Sequence, residues 1–180
     1  MNLVEYFSGF YLVAEHDPAQ TSAITFDFKA PEASALAPRY EIDVNVEGSD
    51  PWVGSVYGGL QGMDGVVALP NPMEFACIAG GVGYRIPADS PSEYNLIPIQ
   101  AIRDVVCSVE AQKVIFIGWT GVLALGFEAS DQWEAKGLVS DGFTSFQATS
   151  ENLVLRGFFA PTNSDIEITL DLFTGRELER

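Results

Sequence analysis

Basic side chains are scarce in this chain of 180 residues: nine Lys and Arg stand against 25 Asp and Glu, for a formal net charge of -16. Binding to nucleic acid or to an anionic membrane rests on clustered Lys and Arg, so this balance argues against both. Histidine is scarcer still. The one present, His16, lies in Ala14-Glu15-His16-Asp17-Pro18, a polar segment that reads as an exposed turn. Every Ser-His-Asp or Cys-His mechanism would have to pass through it. Two cysteines and one histidine fall short of the ligand set of a zinc site. Cys77 (Phe-Ala-Cys-Ile-Ala) and Cys107 (Val-Val-Cys-Ser-Val) are set in apolar runs and are expected as buried free thiols in a reducing compartment. Long hydrophobic runs are missing as well. No stretch approaches the roughly 18 uncharged apolar residues of a membrane helix. Glu5, Glu15 and Asp17 interrupt the apolar residues of the N-terminus, so no secretory signal is read there and a cytoplasmic location is expected.

Signatures of phosphate and ester chemistry fail in the same way. Gly80-Gly81-Val82-Gly83 lacks the Gly-Lys-Ser/Thr of a phosphate loop, and Gly-x-Ser-x-Gly does not occur. There is no Asp-x-Asp-x-Asp-Gly calcium loop. No cofactor is expected.

What the chain does have is 47% hydrophobic residues, twelve Phe among them, enough for a packed core. Helical periodicity is hard to find, whereas period-two alternation recurs. Ile24, Phe26 and Phe28 fall on one side of a strand, as do Ile42, Val44 and Val46, and Ile166, Ile168, Leu170 and Leu172. One buried and one wet face is the pattern of an antiparallel sheet. Turn signals separate further runs: Thr120-Gly121, Ser130-Asp131, Asp141-Gly142, Ser150-Glu151-Asn152 and Pro161-Thr162-Asn163-Ser164 divide about six strands of a C-terminal meander. Gly80-Gly81 suits a two-residue hairpin turn. A short helix is expected within Pro31 to Ala37.

The expectation is one all-β domain over residues 1–180. An N-terminal half (about 1–86) and a C-terminal meander (about 99–180) are joined by a proline-rich crossing at 87–98. Antiparallel sheets would form a sandwich or open barrel. The stretch Lys113 to Glu179, with Val114-Ile115-Phe116-Ile117-Gly118, then Val122-Leu123-Ala124-Leu125, then Trp133, resembles a β-propeller blade of the quinoprotein-like or WD-like kind. Gly58 to Gly175, with Pro70-Asn71-Pro72, the Gly80-Gly81 hairpin and a closing Leu170-Asp171-Leu172-Phe173-Thr174-Gly175, is similar to a group of uncharacterised bacterial all-β proteins. That resemblance implies fold and carries no functional residue. A closed propeller is not expected, since residues 1–110 do not repeat the C-terminal pattern.

Three function classes follow. The leading one is a non-catalytic protein-binding module, such as an inhibitor or immunity protein, that neutralises a basic partner. Its candidate residues are Glu41, Asp43 and Glu47 on one strand face, continued by Asp50 beside Trp52, with Tyr40 and Tyr57 as aromatic anchors. The second is a carbohydrate or small-molecule site of acids and aromatics, with Asp50 near Trp52 or Glu134 next to Trp133 as its carboxylates. It requires a concave pocket with convergent acids. The third is a structural subunit that covers its own sheet edges by assembly.

Overall fold

Two hydrophobic patterns in the sequence, strict alternation and unbroken apolar runs, correspond to two kinds of sheet in the structure. The structure is a computed structural model. It describes residues 2–4, 9, 11–17, 24–31, 39–128 and 130–178. Most of the helix expected at 31–37 lies outside the described residues.

Among the described residues, sixteen strands form four sheets. In chain order they are β1 (Asn2–Val4), β2 (Tyr11–Glu15), β3 (Thr25–Phe28), β4 (Arg39–Val46), β5 (Trp52–Tyr57), β6 (Gly65–Ala68), β7 (Glu74–Ala79) and β8 (Val82–Pro87). There follow β9 (Asn95–Leu96), β10 (Asp104–Ser108), β11 (Lys113–Ile117), β12 (Val122–Leu125), β13 (Trp133–Ala135), β14 (Phe143–Ala148), β15 (Asn152–Phe159) and β16 (Ser164–Asp171). The first sheet has the order β2-β4-β5-β3, the second β1-β6-β7-β8-β9, the third β10-β11-β12-β13 and the fourth β14-β15-β16. The fold is all-β, and none of the sheets closes into a barrel. Two pairings, β1 with β6 and β3 with β5, are parallel, so the N-terminal half is not a pure meander. The described part of the blade-like span, Lys113 to Leu178, is divided between two sheets. The break falls at residues 136–142, where Gly137 and Gly142 take positive φ.

The sheets are layered face to face. Phe28, Ile42, Val44, Trp52 and Val56 of the first sheet meet Val66, Phe75, Cys77, Tyr84 and Ile86 of the second. On the other side of the second sheet, Val67, Ala76 and Ile78 meet Val114, Phe116, Leu123 and Leu125 of the third. Ile115, Ile117, Val122 and Ala124 of the third then meet Leu153, Leu155, Ile168 and Leu170 of the fourth. Middle sheets are therefore apolar on both faces, which is why β7, β11 and β12 read as continuous runs (EFACIA, KVIFI, VLAL). In the end sheets, β4 and β16 keep a wetter face and alternate, while β5 is buried on both faces.

Polar atoms of buried aromatics tie the first two layers together. Tyr84 donates its hydroxyl hydrogen to Tyr57 O at 2.5 Å and accepts from Ala30 N–H at 3.0 Å. Tyr11 Oη donates to Glu74 O at 2.7 Å. The Gly80-Gly81 turn joins β7 to β8 with φ of 50° and 80°, the left-handed values at both central positions that a type I′ hairpin requires. Between the second and third layers the segment 97–103 is bonded to both sides. Ile102 N–H donates to Gly81 O and Arg103 N–H to Ile117 O, at 2.9 and 2.8 Å.

Burial decides the chemistry of the thiols. Cys77 points into the first core layer and Cys107 lies against the second. Both are free, and desolvation pushes each thiol up to about 12, because burial penalises the charged thiolate. Iodoacetamide at pH 7.5 should therefore modify the native chain about a thousandfold more slowly than the urea-unfolded chain, since the thiolate is the reactive form. Equal rates, followed by intact mass, would show that these sites open freely to solvent.

Candidate functional site

The outer face of the first sheet carries the charge. In β4, Ile42, Val44 and Val46 face the core, so period-two geometry sends Arg39, Glu41, Asp43 and Asn45 outward. Cross-strand register extends this face into rows: Arg39 beside Tyr57, Glu41 beside Ser55, and Asp43 beside Val53. Asp27 lies beyond Ser55 on β3, while Ala14 and Leu12 lie beside Asp43 and Asn45 on β2. Glu47 and Asp50 project from the turn between β4 and β5, where Gly48 takes a φ of 81°. Five carboxylates thus line the face and its rim: Asp27, Glu41, Asp43, Glu47 and Asp50.

They are not equally available. Arg39 bonds Glu41 at 2.6 Å and Ser55 Oγ at 2.9 Å, and its guanidinium lies 5.7 Å from the Tyr57 ring centre. Asp43 is 14% exposed and receives His16 Nδ1 at 2.7 Å and Asp17 N–H at 3.2 Å. Glu47 and Asp50 are exposed and have no ion-pair partner among the described residues. Leu12 is 70% exposed. It borders a shallow hollow of about 390 Å³ whose lining includes Tyr11, Asn45 and Glu47.

Trp52 belongs elsewhere. Only 5% of it is exposed, its indole N–H donates to Ala88 O at 2.9 Å, and its ring packs among Phe26, Phe28 and Phe75. It supports the sheet from beneath and presents no anchor to a partner. Tyr40 is likewise half-buried, and its hydroxyl donates to Asp64 at 2.7 Å. That bond to a carboxylate raises the Tyr40 pKa above its ordinary value.

Arg39 carries a signal in sequence, since two residues before Glu41 is the same strand face. His16 has none: its partner Asp43 is 27 residues away. Asp27 and Leu12 reach this face only through the β3–β5 and β2–β4 pairings.

Chemically, the face can hold cations and guanidinium groups. Among the described residues no group of three or more His, Cys, Asp or Glu could hold a metal ion, and no helix is long and apolar enough to cross a membrane. The carbohydrate alternative requires two acids converging on a cleft. A pocket of about 320 Å³ bordered by Pro98, Gln100, Thr120 and Gly121 contains one carboxylate, Glu134, paired with Lys136 at 2.9 Å. Trp133 does not line it; its indole N–H donates to Leu172 O. No family model, curated protein or solved structure matches this chain.

Proposed function

We propose that the chain is a non-catalytic protein-binding module that neutralises a basic partner, as an inhibitor or immunity protein does, and that it binds through the outer face of the first sheet. The observation that carries this reading is the set of five carboxylates on the face and its rim, opposed there by Arg39 and Lys29, whose cationic groups both lie over the Tyr57 ring, beside the exposed Leu12. An apolar contact ringed by acids suits a partner with a basic surface around an apolar side chain. Leu12 supplies desolvated contact area and the carboxylates accelerate encounter. The ion pair from Arg39 and the bonds from His16 and Asp17 fix Glu41 and Asp43 before binding, which lowers the entropy lost on association.

The test starts with capture from an extract of the encoding organism at low salt, followed by association kinetics with the captured basic protein. The triple substitution Glu41→Lys, Glu47→Lys and Asp50→Lys is expected to slow association by roughly 10- to 1,000-fold at low ionic strength, with the circular dichroism spectrum unchanged. Leu12→Asp is expected to act mainly on dissociation. A partner that binds the triple variant at the wild-type rate, or whose binding ignores salt, would overturn the reading.

A further inference from the structure

At the opposite end of the stack, the fourth sheet has an open strand edge. Of the two edges of that sheet, β16 is covered at its end, where Asp171 N–H donates to Arg176 O, Leu178 N–H donates to Thr169 O and Leu170 bridges Glu177, and it carries Asp165 and Glu167 along the rest. The edge of β14 has no such cover among the described residues. Its pairing with β15 fixes which groups are unpaired. Thr149 N–H donates to Asn152 O at 2.8 Å, so in the register Phe146↔Leu155, Gln147↔Val154, Ala148↔Leu153 the hydrogen-bonded pairs are those of Gln147 and Ser145. The N–H and C=O groups of Phe146 and Ala148 therefore point away from the sheet.

Edge strands are ordinarily blunted by charge, proline or shortness. Here β2 carries Glu15, β3 Asp27, β10 Asp104 and β13 Glu134, while β1 and β9 have three and two residues. Residues 143–150 (FTSFQATS) contain neither charge nor proline, in a chain of net charge -16. The register shift between Phe143 and Ser145 limits regular pairing to the segment that follows.

We propose that β14 pairs antiparallel with β14 of a second copy of this chain about a two-fold axis at Gln147, joining two three-stranded sheets into one. In that register Phe146 faces Ala148 of the second copy and Ala148 faces its Phe146, and both pairs exchange N–H···O bonds. The arrangement is self-complementary in three ways. No like charges face each other, although the chain as a whole repels its copy. Phe146, 37% exposed and on the same sheet face as Leu155, covers the small Ala148 of the copy, so a large side chain meets a small one on each side of the axis. The uncovered donors and acceptors match under two-fold symmetry.

Sedimentation equilibrium of the full chain, over a concentration series at 0.05 and 0.5 M NaCl, tests this. A dimer in the micromolar range is expected that tightens with salt, because screening removes the repulsion between two acidic copies. This trend is opposite to the one expected for the acidic face of the first sheet, so the two proposals fail separately. Ala148→Pro removes an outward N–H at an edge position that tolerates proline and should weaken the dimer at least about tenfold. Gln147→Lys, which places two ammonium groups across the axis, should weaken it without touching the backbone. Amides of Phe146 and Ala148 should gain hydrogen-exchange protection with concentration. A chain that remains monomeric in 0.5 M salt at about 1 mM, or a dimer indifferent to both substitutions, would overturn the proposal, monomer behaviour favouring an extended segment of another protein on the same edge.

Discussion

Asp131→Asn is expected to destabilise the chain by about 2–3 kcal/mol, a fall of roughly 5–10 °C in Tm for a domain of this size. The reason lies on the neighbouring strand. Lys113, the first residue of β11, is 2% exposed, and its ammonium is bonded to the Asp131 carboxylate and to Asp131 O. Removing the carboxylate's charge leaves a buried cation with neutral acceptors, and the desolvation already incurred is no longer offset by an opposite charge. The lower part of the usual range for a broken buried pair applies, because the Asp131 side chain is half-exposed and water screens it. Lys113→Met separates the two terms. It removes the ammonium together with its desolvation cost, fits a four-atom apolar stem in the same space, and should change stability by less than about 1 kcal/mol. The double variant should then match Lys113→Met alone, since the pair acts as a unit. Urea unfolding with unchanged m-values is the measurement. An Asp131→Asn variant within about 0.5 kcal/mol of wild type would mean that solvent, and not Asp131, stabilises Lys113.

The side-chain direction of the best-alternating strands was legible in the residue pattern, whereas the stacking of four sheets was not, since the pattern predicts a sandwich or an open barrel. A strand with one wet face must alternate; Glu41 to Glu47 and Ile166 to Leu172 do so, and of the residues expected inward Ile42, Val44, Val46, Ile168, Leu170 and Leu172 are buried while Ile166 is half-buried against the core. A strand of a middle sheet has no wet face, so Phe75 to Ala79 and Val114 to Ile117 cannot alternate. What the pattern does not encode is which strand neighbours which. The parallel pairings β1–β6 and β3–β5 join non-adjacent segments, and no local signal marks them. Ile24 shows the limit at a strand end: it continues the alternation of Phe26 and Phe28, yet it is 45% exposed, just before the first residue of β3.

The acidic face was legible only in part, because alternation reports direction and not partners. Glu41 and Asp43 share a face by geometry alone. That Asp43 is engaged by the single histidine, and that Asp27 joins the face through Ser55, depends on contacts made across 27 and 28 positions of chain. Proximity in sequence misled in one case. Asp50 and Trp52 are two residues apart, but the turn holding Asp50 faces solvent while β5 carries Trp52 into the core between the first two sheets.

Trp52 is therefore where a stability measurement bears directly on function. Trp52→Ala is expected to cost about 3–5 kcal/mol, the range for emptying a buried aromatic site. Its ring has neighbours at 5.5 Å (Phe26), 5.9 Å (Phe28) and 6.3 Å (Phe75) between centroids, from both facing sheets, so the cavity would open in the interface between layers. Trp52→Phe keeps most of the aromatic contact and loses the N–H that donates to Ala88 O. It should cost about 1–3 kcal/mol, the penalty of a buried carbonyl left without its donor plus part of the lost ring volume. A surface anchor would behave in the opposite way: both substitutions would leave the unfolding midpoint in place and weaken partner binding by two or more orders of magnitude. Under the core assignment, and with a basic partner of the kind proposed, Trp52→Phe held well below its melting temperature should associate at nearly the wild-type rate, while Glu47→Lys, remote from the core, should slow association and leave the unfolding midpoint unchanged. The two variants thus separate the stability held by the inner face of the first sheet from the recognition proposed for its outer face.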